Sequence, residues 1–150
     1  MFPKDKMQVN RVYFHSSEDM HEIPDGEARF VFASPPFTNN PYGTLNKKDY
    51  ISFLERSFAE IYRVLVPGGV FVSLNTDLKD HNKYNNPGDR YNDTSKSFES
   101  TVWLKHAEIE KISRGTGFRT YDYKVWMKTD LEDRFRFTFS HILVFTKPGG

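Results

Sequence analysis

Apolar positions fall along the chain in short runs that alternate between two periods. Val9 to Phe14 is apolar and β-branched enough to predict a strand. His15 to Asp25 places Met20 and Ile23 on a polar background and closes at Pro24-Asp25-Gly26, which predicts a short helix or turn. Phe30-Val31-Phe32-Ala33 is a second short strand. A turn-rich stretch, Thr38 to Lys48, separates it from the strongest helical pattern in the chain, Asp49 to Leu65. There Ile51, Leu54, Phe58, Ile61 and Leu65 recur at i, i+3, i+7, i+10 and i+14 and form one apolar stripe. Pro67-Gly68-Gly69 is expected to stop that helix, and Val70 to Leu74 to be a buried strand.

Asn75 to Lys96 is polar and reads as one loop of about 20 residues, a length usual for a functional loop or for a mobile, disordered surface loop. Its charges balance, so it is no simple phosphate clamp. Ser97 to Arg114 is expected to be a second helix carrying Phe98, Val102, Ile109 and Ile112, closed by Gly115. Phe118 to Met127 and Phe135 to Phe145 follow as long strands. In the second, Phe135, Phe137, Phe139, His141, Leu143 and Phe145 share one parity. The short charged connector Lys128 to Arg134 predicts that the two pair as an antiparallel hairpin. The order is α/β, in a single unit over residues 1–150.

Composition narrows the chemistry. The 150 residues suffice for one domain burying roughly 70% of its unfolded surface. With 16% aromatic residues and 14 phenylalanines, the core is real despite a mean hydropathy of -0.66. Absence of cysteine excludes disulfides, cysteine metal sites and thiol nucleophiles, and with them methylation at C5 of cytosine. The histidines are scattered, and no metal site is expected. No apolar run approaches the roughly 18 residues of a membrane span, and the N-terminus has no signal-like apolar core, so a soluble cytoplasmic protein is expected. A net charge of +1 argues against a strongly basic, free-standing DNA-binding face.

The candidate chemistry lies in Ser34-Pro35-Pro36-Phe37, directly after the second strand. Two successive prolines fix φ and remove two backbone donors, so the ladder cannot continue. The carbonyls there stay free of that ladder, with an aromatic ring directly after them. Such a group suits a planar ring bearing an amino group. The tetrapeptide resembles the (Asp/Asn/Ser)-Pro-Pro-(Tyr/Phe/Trp) motif of DNA amino-methyltransferases, and its Ser form looks most like the cytosine-N4 enzymes. Further stretches are similar to that family in order. They are Glu22 to Gly26 with Phe30-Val31-Phe32, Tyr50 to Gly69 ending in Arg63-Val64-Leu65-Val66-Pro67-Gly68-Gly69, Val125-Trp126-Met127-Lys128, and Ser140 to Lys147.

The resemblance implies part of a Rossmann-like S-adenosylmethionine-dependent methyltransferase fold ending in an antiparallel hairpin. It implies DNA as substrate, base flipping, and direct methyl transfer to the exocyclic amine of cytosine or adenine. Catalytic roles would fall to Ser34, Pro35, Pro36 and Phe37. Ser34 and the Pro35 carbonyl would accept from the amine, and Phe37 would stack on the base. Asn39 and Tyr42 are further expected base contacts, and His15 and Ser34 expected cofactor contacts. The family usually has Gly-Asp where this chain reads Phe14-His15-Ser16-Ser17-Glu18. In the permuted class, a target-recognition region and a Phe-x-Gly-x-Gly cofactor loop follow the catalytic half, and the chain stops before either. Gly115-Thr116-Gly117 runs from helix into strand, the wrong order for a cofactor loop, and reads as a helix stop. The chain is then either one part of a split enzyme or a truncated, inactive copy, and in the split case a complementary chain carrying the missing regions is an expected partner. RNA or protein-amide methylation, and a non-catalytic remnant or assembly role, are the alternatives.

Overall fold

A computed structural model of the chain describes residues 10–36, 47–81, 100–127 and 139–149. The elements are β1 (Ala28–Ala33), α1 (Lys47–Val64), β2 (Leu65–Asn75), β3 (Leu78–His81), β4 (Ser100–Trp103), α2 (Lys105–Thr116), β5 (Arg119–Met127) and β6 (Phe139–Thr146). Four strands form a sheet in the order β1-β2-β6-β5. The β1–β2 pair is parallel, and β2–β6 and β6–β5 are antiparallel. The second strand of the predicted hairpin is thus central, pairing Leu143 with Ser73 on one side and Tyr123 on the other.

The stripe expected on α1 packs as its period implies. Leu54, Phe58 and Ile61 are buried, and Leu65 follows at the start of β2. They meet Ile109 and Ile112 of α2 and the inward residues Phe71, Leu143 and Phe145 of the sheet. Phe71 is the hub, with ring centroids of Phe58, Phe118 and Phe145 at 5.1, 5.5 and 5.5 Å. The β6 parity holds over the described part, since His141, Leu143 and Phe145 share the buried face.

The other sheet face carries Phe30 and Phe32, 59% and 56% exposed, beside half-buried Val70, Val72, Leu74, Ile142 and Val144. No described element covers this apolar surface. A parallel strand pair is normally covered on both faces.

Four expectations need correction. Residues 10–14 form no strand, and Phe14 is 96% exposed. β-branched content alone does not make a strand without a ladder partner, and β1 pairs only with β2 among the described residues. The stretch from Asn75 is not all loop. Asn75 closes β2, and Leu78–His81 pairs antiparallel with Ser100–Trp103. The second helix starts at Lys105 rather than Ser97, because Val102 belongs to β4. Finally, α1 ends at Val64, ahead of Pro67-Gly68-Gly69, which lies in a bulge where β2 register jumps from Leu65↔Ala28 to Val70↔Phe30. A proline without an N–H is tolerated at such a bulge. Any Cβ on Gly69 would lie 2.8 Å from the Val66 carbonyl oxygen, so the bulge demands glycine there.

His15 to Asp25 resolves as turns. They are tied to α1 by Arg63, whose guanidinium donates to the carbonyls of Met20 and Ile23 at 2.9 Å each and to Asp25 and Glu60. Glu60 in turn accepts from the Met20 N–H at 2.7 Å. This clamp fixes the entry into β1, and so the strand end that follows. Arg63→Met is expected to cost about 1–3 kcal/mol, since charge-assisted donors are lost to partly buried carbonyls. Thermal unfolding, with faster amide exchange at Ile23 and Gly26, would register it.

Candidate functional site

The candidate site lies at the carboxyl ends of the parallel strands β1 and β2, where open α/β sheets place their ligands. Ala33, the last residue of β1, is registered with Ser73 of β2. Ser34 leaves the sheet exposed, Pro35 is half-buried and Pro36 exposed. The carbonyls beyond the ladder are acceptors, as the double proline implies, and both are engaged. Lys105 Nζ donates to Pro36 O at 3.0 Å and Pro35 O at 3.3 Å.

Lys105 is the first residue of α2, fully buried, with Nζ 5.1 Å from the Tyr50 ring centroid. Tyr50 stands edge-on to Trp103 at 5.7 Å. Burial pulls the Lys105 amine down to about 8, with the charge of Asp77 opposing the shift. Burial also pushes the Tyr50 phenol far up. Its hydroxyl has no hydrogen-bond partner among the described residues, and neither do Ser73 Oγ or the Asn75 amide at the end of β2. Several buried polar groups therefore gather at one end of the sheet.

A second cluster adjoins it. Asp77 accepts from the His106 backbone N–H at 3.0 Å and contacts His106 Nδ1 at 2.8 Å, which ties down the start of α2. His141 Nε2 lies 3.2 Å from Asp77 Oδ2 without the alignment of a hydrogen bond. The Tyr123 hydroxyl meets His141 Nδ1 at 2.7 Å. Two histidines and a carboxylate are a familiar metal donor set. Here, however, the His106 and His141 rings stack at 3.8 Å and 15°. Near-parallel ring planes cannot direct their in-plane lone pairs at one ion, so the cluster acts as a hydrogen-bonded brace. Burial and the neighbouring His106 hold the His141 imidazole below its usual pKa, against the pull of Asp77.

The residues expected to act are only partly brought together. Ser34, Pro35 and Pro36 stand at the strand end. Phe37, Asn39 and Tyr42 lie outside the described residues. His15 sits in the turns before β1, with Nδ1 at 3.0 Å from the Ser16 carbonyl, Nε2 against Glu22 and its ring stacked on His21 at 5.4 Å. Its partners hold the imidazole above its usual pKa, led by the Ser16 carbonyl. Lys105, Asp77 and His141 were not anticipated. Nothing in the sequence marks Lys105, which is one of three cations in the expected Ser97 to Arg114 helix.

For S-adenosylmethionine the fit is divided. The exposed Ser34 and the carbonyls beside it suit the end where a methyl group meets an amine. No described residues form a glycine-lined cradle for a nucleoside. Gly117, at φ +120, ends α2 against the Tyr62 ring and is a packing and capping residue, as its order in the sequence suggests.

The fold is that of Rossmann-like methyltransferases. The chain superposes with a TM-score of 0.68 and 22% identity on TTHA0409, a candidate DNA modification methylase of Thermus thermophilus solved with S-adenosyl-L-methionine, covering 90% of this chain and 52% of that one. A SAM-dependent methyltransferase of Methanosarcina mazei gives 0.55 at 12% identity, covering 91% and 66%. The [4+2]-cyclase SpnF gives 0.53 at 16%, covering 91% and 56%, so the fold alone does not fix the reaction. No curated protein sequence matches. The family described as DNA methylase, covering N6- and N4-methyltransferases, matches residues 28–150, and the chain belongs to it. It spans about half the length of TTHA0409. No described helix is long and apolar enough to cross a membrane.

Proposed function

We propose that the chain is the amine-binding, catalytic portion of a DNA amino-methyltransferase. It would act on a flipped cytosine, or adenine, with S-adenosylmethionine as donor. The observation that carries this reading is the convergence of the Pro35 and Pro36 carbonyls on a primary amine at the strand end. Acceptors that hold a lysine amine there have the chemistry to hold an exocyclic amine. The sulfonium donor supplies an electrophilic methyl group. The residues of this chain supply position: Ser34 Oγ and Pro35 O accept from the amine, orienting its lone pair, and Phe37 stacks on the base. Catalysis is then mainly orientation.

The second part of the proposal is that a complementary polypeptide carries the nucleoside cradle and the target-recognition region. The apolar sheet face that no described element covers favours it over a stand-alone enzyme. Tritium transfer from labelled S-adenosylmethionine to DNA, RNA or protein, with and without such a partner, is the test. Transfer to DNA is expected, reduced about tenfold or more in Ser34→Ala, a loss near one net hydrogen bond. Transfer to RNA or protein alone would redirect the substrate. Calorimetry of this chain with S-adenosylmethionine is expected to give no tight binding, and tight binding would overturn the split.

A further inference from the structure

We propose that Lys105 is a catalytic residue of this site, the base that takes the proton released when the bound amine is methylated. The inference rests on the amine-methylation reading above. Its Nζ is the one titratable group in contact with the carbonyls to which the substrate amine is assigned, among the described residues. A carbonyl oxygen has two lone pairs, so Pro35 O can accept from Lys105 and from a substrate amine together. Two donors on one carbonyl oxygen stand about 4.5–5 Å apart, a gap that one bridging water spans for proton transfer.

The balance is simple. The amine lone pair takes the methyl group, a nitrogen–carbon bond forms, and the carbon–sulfur bond of the sulfonium donor breaks with its electron pair left on sulfur. The nitrogen is now positively charged. One of its N–H bonds breaks, the pair stays on nitrogen, and the proton passes through that water to the lone pair of neutral Nζ. The new ammonium donates to the Pro35 and Pro36 carbonyls and later returns the proton to water. Only the neutral amine can serve, because an ammonium there would oppose the developing charge. Burial supports this by lowering the amine to about 8. Among the described residues, the Tyr50 phenol on α1 faces it and the Asp77 carboxylate after β2 acts on it by charge, while His106 on α2 and His141 on β6 lie against Asp77. Asp77 is the near anion and favours the charged form, so the working pKa reflects burial against that carboxylate.

The first test uses the full chain with its lysines carbon-labelled at Cε, Lys105 being assigned by Lys105→Met. Deoxycytidine should move the Lys105 signal and its titration near pH 8, and thymidine, which has no exocyclic amine, should not. Deoxycytidine that shifts the Ser34 amide but leaves Lys105 unmoved overturns the role of the lysine and leaves the amine site standing. If neither moves, the functional reading falls with it. In the methyl-transfer assay, wild-type kcat should rise with pH through about 8. Lys105→Met should lose that limb and about 10²-fold in kcat at pH 9, with KM little changed. Lys105→Arg should not rescue, since guanidinium keeps its proton, whereas a purely structural cation would be rescued. A Lys105→Met profile that matches wild type overturns the proposal.

Discussion

Phe71→Ala is expected to be the most destabilising single change in the chain, costing about 3–5 kcal/mol. The reason is position rather than size. Phe71 is fully buried in the central β2, registered with Val31 on one side and Phe145 on the other. Its ring touches Phe58 of α1, Phe118 at the exit of α2 and Phe145 of β6. Truncation therefore opens one cavity bounded by both helices and the sheet. Aromatic walls set by three different elements cannot all collapse into it. For a domain of this size the midpoint should fall by roughly 6–20 °C. Phe30→Ala is the matched control: it removes the same ring from the open sheet face and should change stability by under about 0.5 kcal/mol. Chemical denaturation of both would decide. Equal losses would mean that the open face is buried in solution.

That contrast bears on what the sequence could reveal. Where one face of an element meets the core, periodicity marks it: the α1 stripe from Ile51 to Leu65 and the parity of His141, Leu143 and Phe145 are real packing faces. The antiparallel pairing of the last two strands followed from a short connector, and is present. Apolar content misled where no partner strand stands among the described residues, as at residues 10–14. It was silent where pairing involves polar residues. Leu78-Lys79-Asp80-His81 has no alternating signal, yet it forms a ladder with Ser100–Trp103, and that ladder delays α2 to Lys105.

The site divides the same way. Ser34-Pro35-Pro36 is local chemistry, because two prolines end a strand wherever they stand. Lys105 meets those carbonyls across about 70 residues of sequence, and Asp77 gathers His106 and His141 from two other elements. Such convergence is a product of topology: β6 inserts beside β2, and α2 starts where β2 ends. No spacing rule along the chain encodes it. The open face of Phe30 and Phe32 was equally hidden, since a buried strand and a strand awaiting a cover have the same composition.

Asp77→Ala should have the next largest effect, about 3 kcal/mol. It removes the acceptor of an N–H at the start of α2, worth about 0.5–2 kcal/mol as a cap, and a buried carboxylate contact to His106, worth about 1.5–3 kcal/mol. It should also change the pH dependence. His141 is buried, and its folded pKa lies below the ordinary 6.5. A depressed histidine stabilises the fold fully above the unfolded pKa, and that stability is lost as pH falls through the folded value. The contribution of His141 to wild-type stability should therefore be level above about pH 7 and decline below about 6.5. Asp77 opposes the depression, so its loss leaves burial and the stacked His106 to push the folded pKa lower still. In Asp77→Ala the decline below 6.5 should be steeper and reach further into acid, while His141→Gln should flatten it. Unfolding midpoints from pH 8 to 5, with imidazole shifts followed by NMR, measure both. A decline unchanged in His141→Gln would assign the acid sensitivity to other groups.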